Sequence, residues 1–449
     1  MGRLFGTDGV RGVANRDVTA ELALDLAVAA AHVLGQRGEF SGHRPKAVVG
    51  RDPRASGEFL SAAVCAGLAS AGVDVVDIGV VPTPAVAYLA ANTNTDLGVM
   101  ISASHNPMAD NGIKFFDRTG SKLDDDVEDQ IEARLREGWE RPVGANVGRM
   151  TQDFAAVWRY VDYIVSTVPY TLDGLKIVVD SANGAGSEVG PEALRRAGAE
   201  VVVIGSYPDG ENINEGYGAT SPRRMAAATV GHWAHAGVSF DGDADRCIAS
   251  DEEGEIVDGD QIMGILAQAH AERGTLANGT LVTTVMSNLG LKLAMERHGI
   301  RTIETNVGDR YVLEEMRRGG YSVGGEQSGH VLLTDYATTG DGILTALHLL
   351  SRLAESKGTM SELASGIERL PQSLVNVKDV DKSRASTDED ILSAVKEAES
   401  LLGSTGRVLL RPSGTEALVR VMVEAPSQQQ ADDVAHSLAG VVRSRLSLV

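Results

Sequence analysis

Three carboxylates stand at alternating positions directly after an apolar run. Asp241, Asp243 and Asp245 follow residues 237–240. In an extended segment, side chains at every second position point to the same side, so this spacing predicts one face of carboxylates. Such a face indicates a cation, and ligands that are all oxygen favour Mg²⁺, with coordination positions left for a phosphoryl oxygen. A calcium loop is the competing metal site, but it needs glycine where this chain has Arg246.

A second polar segment, residues 102–107, reads Ser-Ala-Ser-His-Asn-Pro and follows the apolar run 97–101. Turns at strand ends collect the active sites of α/β proteins, so a hydroxyl here predicts a nucleophile at Ser104. An ordinary Ser/Thr or Asx turn fits the same residues equally well. We expect the adjacent His105 not to turn back onto the Ser104 oxygen, and Lys114 to supply positive charge or a proton nearby.

A third polar segment, residues 324–330, reads Gly-Gly-Glu-Gln-Ser-Gly-His. Its carboxylate, amide, hydroxyl and imidazole are matched to several sugar hydroxyls, and its glycines allow the backbone to approach a ligand closely. The side chains concerned are Glu326, Gln327, Ser328 and His330. A glycine-rich surface turn with an incidental acid is the competing interpretation.

A fourth polar segment, residues 411–415, reads Arg-Pro-Ser-Gly-Thr and is followed by a further arginine. A guanidinium fork, two hydroxyls and the amides beside a glycine are the donors that a phosphate group needs. These donors are Arg411, Ser413, Gly414, Thr415 and Arg420. No Gly-x-x-x-x-Gly-Lys sequence is present, so the segment is not a nucleotide P-loop. A hairpin turn stabilised by its own hydroxyls fits equally well.

The elements that must position these segments follow a repeated pattern. An apolar strand, a small-residue turn, an amphipathic helix, a glycine and a β-branched strand recur over residues 47–79, 175–205 and 280–306. This order is typical of a βαβ unit with parallel strands. Because parallel strands are covered on both faces, each copy predicts a three-layered α/β domain.

After Pro371 the pattern changes to strand, helix, two strands joined by a hairpin-short turn, and a closing helix over 428–446. Such a turn indicates an antiparallel sheet. The sequence therefore predicts three tandem three-layered α/β domains around a central cleft, plus a C-terminal α+β domain with an antiparallel sheet. The expected domains are 1–150, 151–256, 257–370 and 371–449. Each contains one polar segment, and a cleft between domains is where such loops meet.

Composition excludes several functional classes. The 449 residues include 62 Asp+Glu against 41 Lys+Arg, a net charge of −21. An acidic surface repels polyphosphate backbones, which argues against nucleic acid or anionic membrane as the main partner. Cys65 and Cys247 lack the paired spacing of a disulfide framework or a zinc cluster, which favours a reducing cytoplasm. The most apolar stretch, 22–34, is too short to span a bilayer.

The four segments together resemble the α-D-phosphohexomutase superfamily, in the family's order and from end to end of the chain. The segments that carry this resemblance are 102–107, 241–246, 324–330 and 411–416. Further motifs resemble the bacterial members of the superfamily that act on amino-sugar phosphates. These motifs are Phe-Gly-Thr-Asp-Gly-Val-Arg-Gly at 5–12, Gly-Arg-Asp at 50–52, Met-Ser-Asn-Leu-Gly at 286–290 and Gly-Asp-Arg-Tyr at 308–311.

The resemblance implies a role for each candidate residue. Ser104 would be carried in its phosphorylated form, and Mg²⁺ would be held by its phosphoryl oxygen together with Asp241, Asp243 and Asp245. Glu326 and Ser328 would bind sugar hydroxyls. The non-reacting phosphate would be bound by Arg411, Ser413, Gly414, Thr415 and Arg420. Arg11, Lys114 and Arg246 would neutralise charge around the serine, and either Lys114 or His330 would act as the general acid and base.

The resemblance also implies an isomerase that takes a small amino-sugar phosphate through a bisphosphate intermediate. Glucosamine 1,6-bisphosphate or a related hexose bisphosphate would be the activator, and the chain would form a homodimer. Two alternatives stay open. One is the same chemistry on glucose or mannose phosphate. The other is a non-catalytic sugar-phosphate sensor, which would be expected to have lost one of these residues, whereas all of them are present.

Overall fold

The computed structural model describes residues 3–6, 8–40, 42–412 and 418–448. Within them the chain forms nineteen strands in four sheets and fourteen α-helices. The chain divides into two compact units, one formed by Met1–Met286 and Gly299–Ser365, the other by Ser287–His298 and Gly366–Val449. None of the described helices combines the length and apolar character needed to cross a membrane. Both cysteines are buried and free.

The first sheet has seven strands in the order β1-β2-β6-β5-β3-β4-β7. The strands are β1 (Phe5–Gly6), β2 (Gly9–Val13), β3 (Lys46–Arg51), β4 (Asp74–Val80), β5 (Leu97–Ile101), β6 (Asp110–Asp117) and β7 (Met150–Gln152). The helices along this stretch are α1 (Ala20–Gln36), α2 (Ala55–Ser70), α3 (Thr83–Asn92) and α4 (Asp125–Ala133). Apolar side chains of α1, α2, β3 and β5 form its buried core.

The second sheet has five strands in the order β12-β11-β10-β8-β9. The strands are β8 (Lys176–Asp180), β9 (Glu200–Ile204), β10 (Ala236–Phe240), β11 (Cys247–Ser250) and β12 (Ile256–Val257). The helices are α5 (Val157–Ser166), α6 (Val189–Arg196) and α7 (Arg223–Gly231). Every residue of β10 is buried, so the loop that follows it starts from the interior of the sheet.

The third sheet has four strands in the order β14-β13-β15-β16. The strands are β13 (Thr280–Thr284), β14 (Arg301–Thr305), β15 (Val323–Gly325) and β16 (Val331–Leu333). The helices along this stretch are α8 (Gly259–Glu272), α9 (Leu289–Arg297), α10 (Asp309–Gly319), α11 (Gly342–Ser356) and α12 (Met360–Ser365). Helix α9 groups with the second compact unit.

The second unit contains an antiparallel sheet in the order β17-β19-β18, with α13 and α14. Its elements are β17 (Gln372–Lys378), α13 (Glu389–Leu402), β18 (Arg407–Pro412), β19 (Leu418–Glu424) and α14 (Gln428–Leu446). Its core is formed by β-branched residues of the sheet and the apolar face of α14. The predicted antiparallel C-terminal domain is confirmed.

The repeated βαβ pattern is also confirmed, because β3 pairs with β4, β8 with β9 and β13 with β14 in parallel. The sheets that contain these pairs are nevertheless mixed. In each of them a further strand runs antiparallel to the strand before it: β6 beside β5, β11 beside β10 and β16 beside β15. Three of the polar segments therefore lie at the tips of β-hairpins, where side chains from both strands face the same loop.

A buried hydrogen bond ties helix α5 to helix α11 within the first unit. The Tyr160 hydroxyl donates to both oxygens of Asp341 at 2.9 Å, and Asp341 also accepts from the amides of Ile343 and Leu344 as the N-cap of α11. Burial raises the pKa of Asp341 to about 6 against these donors. A carboxyl whose folded-state pKa is raised favours its neutral form, so its stabilising contribution is present below pH 4 and is lost as the pH rises through about 6.

The Tyr160→Phe variant removes a donor that the charged form of Asp341 needs more than the neutral form does. We expect the free energy of unfolding to fall by about 1–3 kcal/mol, with the larger loss at pH 8 and the smaller at pH 5. The measurement is the melting temperature of variant and wild type at both pH values. Tyr163→Phe is the matched control, since its hydroxyl donates 2.7 Å to the carbonyl of Tyr336, which does not titrate. Equal losses at both pH values for Tyr160→Phe would contradict the assignment.

Candidate functional site

Ser104 lies in the turn between β5 and β6 with its side chain buried. Its backbone has φ +51°, in the left-handed region, and its amide donates to Ser102 Oγ at 2.9 Å. Its hydroxyl donates to Asp241 Oδ2 at 2.5 Å. This hydrogen bond joins two turns that are more than a hundred residues apart in sequence. We call residues 102–107 the serine turn and residues 241–246 the acidic turn.

The backbone of the serine turn is held by Arg54, a fully buried residue that no sequence pattern predicts. Its guanidinium donates to the carbonyls of Ser104 and Asn106 at 2.9 Å and of Asp110 at 3.1 Å. Asp52 in turn accepts from Arg54 Nε at 2.8 Å, which neutralises the buried charge. Because a rigid arginine fork serves several carbonyls at once, the left-handed turn is held in one conformation.

The acidic turn joins β10 to β11 and brings together Asp241, Asp243 and Asp245, and one carboxylate oxygen from each lies within 4.8 Å of the other two. The predicted convergence of the three side chains is therefore present. Its geometry differs from the extended segment that we expected, because the residues form a tight turn with Ala244 at φ +57°. The turn reverses the chain, and this reversal directs the three carboxylates inward.

The carboxylate oxygens of this cluster are incompletely hydrogen-bonded by the described residues. Burial and the neighbouring Asp245 and Asp243 raise the pKa of Asp241 well above its usual range. Asp243 Oδ1 and Asp245 Oδ1 are buried, and neither accepts a hydrogen bond within the described ranges. Buried carboxylate oxygens without donors fit a hard divalent cation, since such a cation relieves both the repulsion and the missing bonds.

Cationic side chains surround the same place. Lys114, on β6 opposite Met100, places its Nζ 2.8 Å from Asp243 Oδ2 and 3.7 Å from Asp245 Oδ2. Burial opposes its charge, but Asp243 and Asp8 outweigh burial and raise the pKa of Lys114. The Nε atoms of Arg11 and Arg246 are buried and donate no hydrogen bond to any described residue. Arg11 also donates through its terminal nitrogen to Asp8, so one donor of each guanidinium is left without a partner among the described residues near the acidic turn. Free guanidinium N–H groups fit an anion such as a phosphoryl group.

His330 is the last residue of the third polar segment, 324–330, which we call the sugar segment after its predicted role, and its side chain reaches the acidic turn. Its Nδ1 lies 3.6 Å from Asp245 Oδ1. Burial opposes protonation, but Asp245 and Asp309 outweigh burial and raise the pKa of His330 to about 9. The structure therefore brings Lys114 and His330, the two candidates for proton transfer, to opposite oxygens of Asp245.

The expectation that His105 cannot turn back onto Ser104 is wrong. His105 Nδ1 lies 3.3 Å from Ser104 Oγ, because the left-handed conformation of Ser104 brings the following side chain back over the turn. Burial, together with Arg246 and Arg11, lowers the pKa of His105 to about 4, so its imidazole is neutral at pH 7.

The sugar segment forms the tip of the hairpin between β15 and β16. Glu326 is half-buried and its Oε1 accepts from the amide of Gly308 at 2.9 Å, whereas Ser328 is exposed. The segment is attached to neighbouring elements through its backbone, since the amide of Gly259 donates to the Gln327 carbonyl at 3.1 Å. The hairpin thus presents Glu326 and Ser328 from a fixed backbone.

Gly259 is required for this attachment, because a Cβ there would lie 2.6 Å from the Gln327 carbonyl oxygen and 2.6 Å from the Gly329 amide nitrogen. We expect Gly259→Ala to displace the sugar segment and raise KM for a sugar phosphate about tenfold. Steady-state kinetics measure the effect. Gly231→Ala is the matched control, as it also lies in a helix and a Cβ there meets nothing within 4 Å. An unchanged KM for Gly259→Ala would show that this attachment does not position Glu326 and Ser328.

The fourth polar segment, 411–415, which we call the phosphate segment after its predicted role, lies only partly within the described residues. Ser413, Gly414 and Thr415 lie outside them. Arg411 and Arg420 are directly opposite each other on β18 and β19, with Arg420 exposed. Two guanidinium groups side by side on adjacent strands form a local positive pair on an acidic protein, which suits an anion.

Comparison with known proteins matches the chain over its length. Models of Phosphoglucomutase/phosphomannomutase match the chain over all four of their domains, at residues 2–141 for domain I, 158–254 for domain II, 258–370 for domain III and 374–441 for the C-terminal domain. The chain therefore belongs to the phosphoglucomutase/phosphomannomutase family, a class of phosphohexomutases.

More specific similarity comes from individual relatives. The phosphoglucosamine mutase of Streptomyces avermitilis is 61% identical over 99% of this chain and 100% of its own length. The phosphoglucosamine mutase of Thermobifida fusca is 60% identical over 100% of both chains. Among solved structures, a putative phosphomannomutase from Thermus thermophilus has a TM-score of 0.79 at 26% identity and covers 98% of each chain.

Proposed function

We propose that this chain is an isomerase that interconverts glucosamine 6-phosphate and glucosamine 1-phosphate through a phosphorylated Ser104 and a 1,6-bisphosphate. The observation that carries this proposal is the buried Ser104 hydroxyl, which donates to Asp241 of the acidic turn at 2.5 Å. The full-length phosphoglucosamine mutase relatives, at about 60% identity, support the choice of substrate.

Each half of the reaction breaks one P–O bond and forms another. The Oγ–P bond of phospho-Ser104 breaks as a P–O bond forms to O1 of glucosamine 6-phosphate. Lys114 or His330, protonated because its pKa is raised, gives a proton to the leaving Ser104 oxygen and then takes the O1 proton. The bisphosphate then turns end over end. The O6–P bond breaks as the Oγ–P bond of Ser104 is made again, and the same group gives a proton to O6 and takes the Ser104 hydroxyl proton. Ser104, held by Arg54, supplies the fixed position, and Arg11, Lys114 and Arg246 neutralise the phosphoryl charge.

The acidic turn would hold Mg²⁺ through Asp241, Asp243 and Asp245, with a phosphoryl oxygen on Ser104 as a further ligand. The buried oxygens of Asp243 and Asp245 that accept no hydrogen bond from the described residues support this assignment. When bound, Mg²⁺ would stabilise the negative charge on the phosphoryl oxygens. Asp243 would also orient Lys114, whose Nζ donates to it at 2.8 Å.

Sugar recognition would divide between two segments. Glu326 and Ser328 would bind the sugar hydroxyls, and the phosphate that is not reacting would be bound by the phosphate segment. The proposed members of that segment are Arg411, Ser413, Gly414, Thr415 and Arg420. Such contacts are equal in the ground and transition states, so they contribute mainly to KM.

The cellular setting completes the proposal. The enzyme would act in the cytoplasm as a homodimer, with glucosamine 1,6-bisphosphate or a related hexose bisphosphate as the activator that first phosphorylates Ser104. Its product would supply the synthesis of UDP-N-acetylglucosamine and peptidoglycan precursors. The net charge of −21 argues against a nucleic acid or anionic membrane partner, and a small anionic substrate would need a locally basic pocket on such a protein.

A side-by-side assay tests the function. The phosphates of glucosamine, glucose and mannose are each supplied with Mg²⁺ and a trace of hexose bisphosphate, and interconversion of the 6- and 1-phosphates is followed. We expect the highest kcat/KM with glucosamine phosphate. A higher kcat/KM with glucose or mannose phosphate would leave the proposed reaction in place and contradict the proposed substrate. No turnover of any of the three would favour a non-catalytic sugar-phosphate sensor.

A further inference from the structure

Six side chains of alternating charge form a closed ring within the first compact unit. In order they are Lys114, Asp8, Lys122, Asp309, His330 and Asp245. The strand β6 and the turn after it contribute the two lysines, and the acidic turn, the start of α10 and the end of the sugar hairpin contribute three of the others. Lys114, His330 and Asp245 already have roles in the proposed function, whereas Asp8, Lys122 and Asp309 have none. We call these six residues the charge ring.

The unassigned half of the charge ring has the shorter contacts. Asp8 Oδ2 lies 2.8 Å from Lys114 Nζ, and Asp8 Oδ1 lies 2.5 Å from Lys122 Nζ. Lys122 Nζ in turn lies 2.5 Å from Asp309 Oδ2. The side chains of Lys122 and Asp309 are only 13% and 16% exposed, so solvent screens their attraction weakly. One ammonium therefore bridges two carboxylates that come from distant parts of the chain.

The remaining contacts connect this bridge to the reacting groups. Asp309 Oδ2 lies 3.4 Å from His330 Nε2, on the ring nitrogen opposite the one that faces Asp245. Asp309 is also the first residue of α10, and the residue before it, Gly308, donates its amide to Glu326 Oε1 at 2.9 Å. The position of Asp309 therefore affects both the imidazole of His330 and the carboxylate of Glu326.

We propose that Lys122 and Asp309 are positioning residues, whose ion bridge sets the placement of Lys114 and His330 on either side of the transferred phosphoryl group. The inference rests on the proposed function of the site. Neither residue needs to touch the substrate. Lys122 joins Asp8, which pairs with both Lys114 and Arg11, to Asp309, which lies against His330. Loss of the bridge therefore weakens one support of each proton-transfer candidate while Asp243 and Asp245 keep their contacts.

Kinetics of single and double variants test the bridge. We expect Lys122→Met to lower kcat about 30- to 100-fold with KM for glucosamine 1-phosphate changed less than about twofold. Asp309→Asn, which keeps size and an acceptor oxygen, is expected to lower kcat less. Lys122→Arg restores the charge and is expected to recover kcat to within about fivefold of wild type. Because both side chains act through one bridge, the double variant is expected to lose no more than Lys122→Met alone.

The matched control is an ion pair at the end of the second sheet that lies away from the acidic turn. Lys176 Nζ lies 3.3 Å from Glu200 Oε1 at the start of β8, whereas the acidic turn follows the carboxyl end of the neighbouring strand β10. Lys176→Met and Glu200→Gln remove one charge each, as the test variants do, and are expected to leave kcat unchanged. Melting temperatures of all variants show whether a loss of kcat follows from a loss of folded protein.

A spectroscopic readout separates positioning from stability and does not depend on turnover. The ring-proton resonances of His330, assigned by comparison with His330→Gln, are expected to shift in Lys122→Met and Asp309→Asn and to stay in place in Lys176→Met. An unshifted His330 resonance, a wild-type kcat in Lys122→Met, or a double variant that loses the product of the two single losses would overturn the proposal. If the wild type turned over none of the sugar phosphates, the proposed function would be overturned instead. The resonance test would still show whether the bridge between Lys122 and Asp309 positions His330.

Discussion

Ser104→Ala is expected to lower turnover by about a thousandfold or more, because both halves of the reaction use the Ser104 oxygen. The fold of the turn is expected to survive. The contacts that hold it use the backbone of this residue: its amide donates to Ser102, and its carbonyl accepts from Arg54 and from Asn214 at 2.9 Å. The loss is therefore one of chemistry and not of structure. Interconversion of glucosamine phosphates measures it.

Intact mass spectrometry gives a second measurement of the same variant. After incubation with a hexose bisphosphate, the wild type is expected to carry one added phosphate, and Ser104→Ala none. Ser166→Ala is the matched control, since that exposed serine donates its hydroxyl only to a backbone carbonyl of its own helix. The nucleophile assignment fails if Ser104→Ala retains either the phosphate or a substantial fraction of the activity.

The regular elements were largely predictable, because they are encoded by local patterns. Helix α14 spans Gln428–Leu446, the bounds that its period and flanking residues predict. The parallel pairs of the three repeats follow from strand, helix and glycine in fixed order, and the pairings β3–β4, β8–β9 and β13–β14 are present. A glycine after an amphipathic helix ends it by adopting the left-handed conformation, so these boundaries need no long-range information.

The hairpin partners were not predictable in the same way. Strand β6 was not predicted, although its Lys114 was singled out as a nearby cation. Its pairing with β5 places that lysine opposite Met100, and the Lys114 Nζ lies 2.8 Å from Asp243 Oδ2 in the acidic turn. Strands β11, β15 and β16 have four or three residues each, which is too short for a period to be counted. Their antiparallel pairing depends on contacts across each sheet, which a reading of local sequence does not include.

The candidate site was predictable in its residue types but not in its connections. The acidic triplet was identified from its spacing, although a turn and not an extended strand brings its carboxylates together. Arg54 gave no signal, because a buried arginine that donates to several backbone carbonyls has no motif of its own. The charge ring joins side chains more than a hundred residues apart, such as Lys122 and Asp309. The domain boundaries and the roles of individual site residues stay predictions.

Asp243→Asn is expected to lower kcat about a hundredfold and to raise the Mg²⁺ concentration needed for half-maximal activity. Asp243 Oδ2 accepts from Thr83 Oγ1 at 2.6 Å and from Lys114 Nζ at 2.8 Å, and its other oxygen is buried without a donor from the described residues. The asparagine side chain keeps the shape of the aspartate and one acceptor oxygen. It lacks the negative charge that attracts a cation and holds Lys114 in place. Activity measured against Mg²⁺ concentration, with chelator as the zero point, tests this.

Thermal stability provides a measurement that does not depend on turnover. A ligand that binds only the folded state raises the melting temperature according to its concentration and affinity, so Mg²⁺ is expected to stabilise the wild type more than Asp243→Asn. Asp162→Asn is the matched control, because it removes a carboxylate from an exposed ion pair with Arg196 and is expected to leave the Mg²⁺ response intact. If Asp243→Asn shows the same Mg²⁺ dependence as the wild type in both measurements, the acidic turn does not bind the metal. In that case the three buried carboxylates must be balanced by the surrounding cations alone, Lys114 foremost among them.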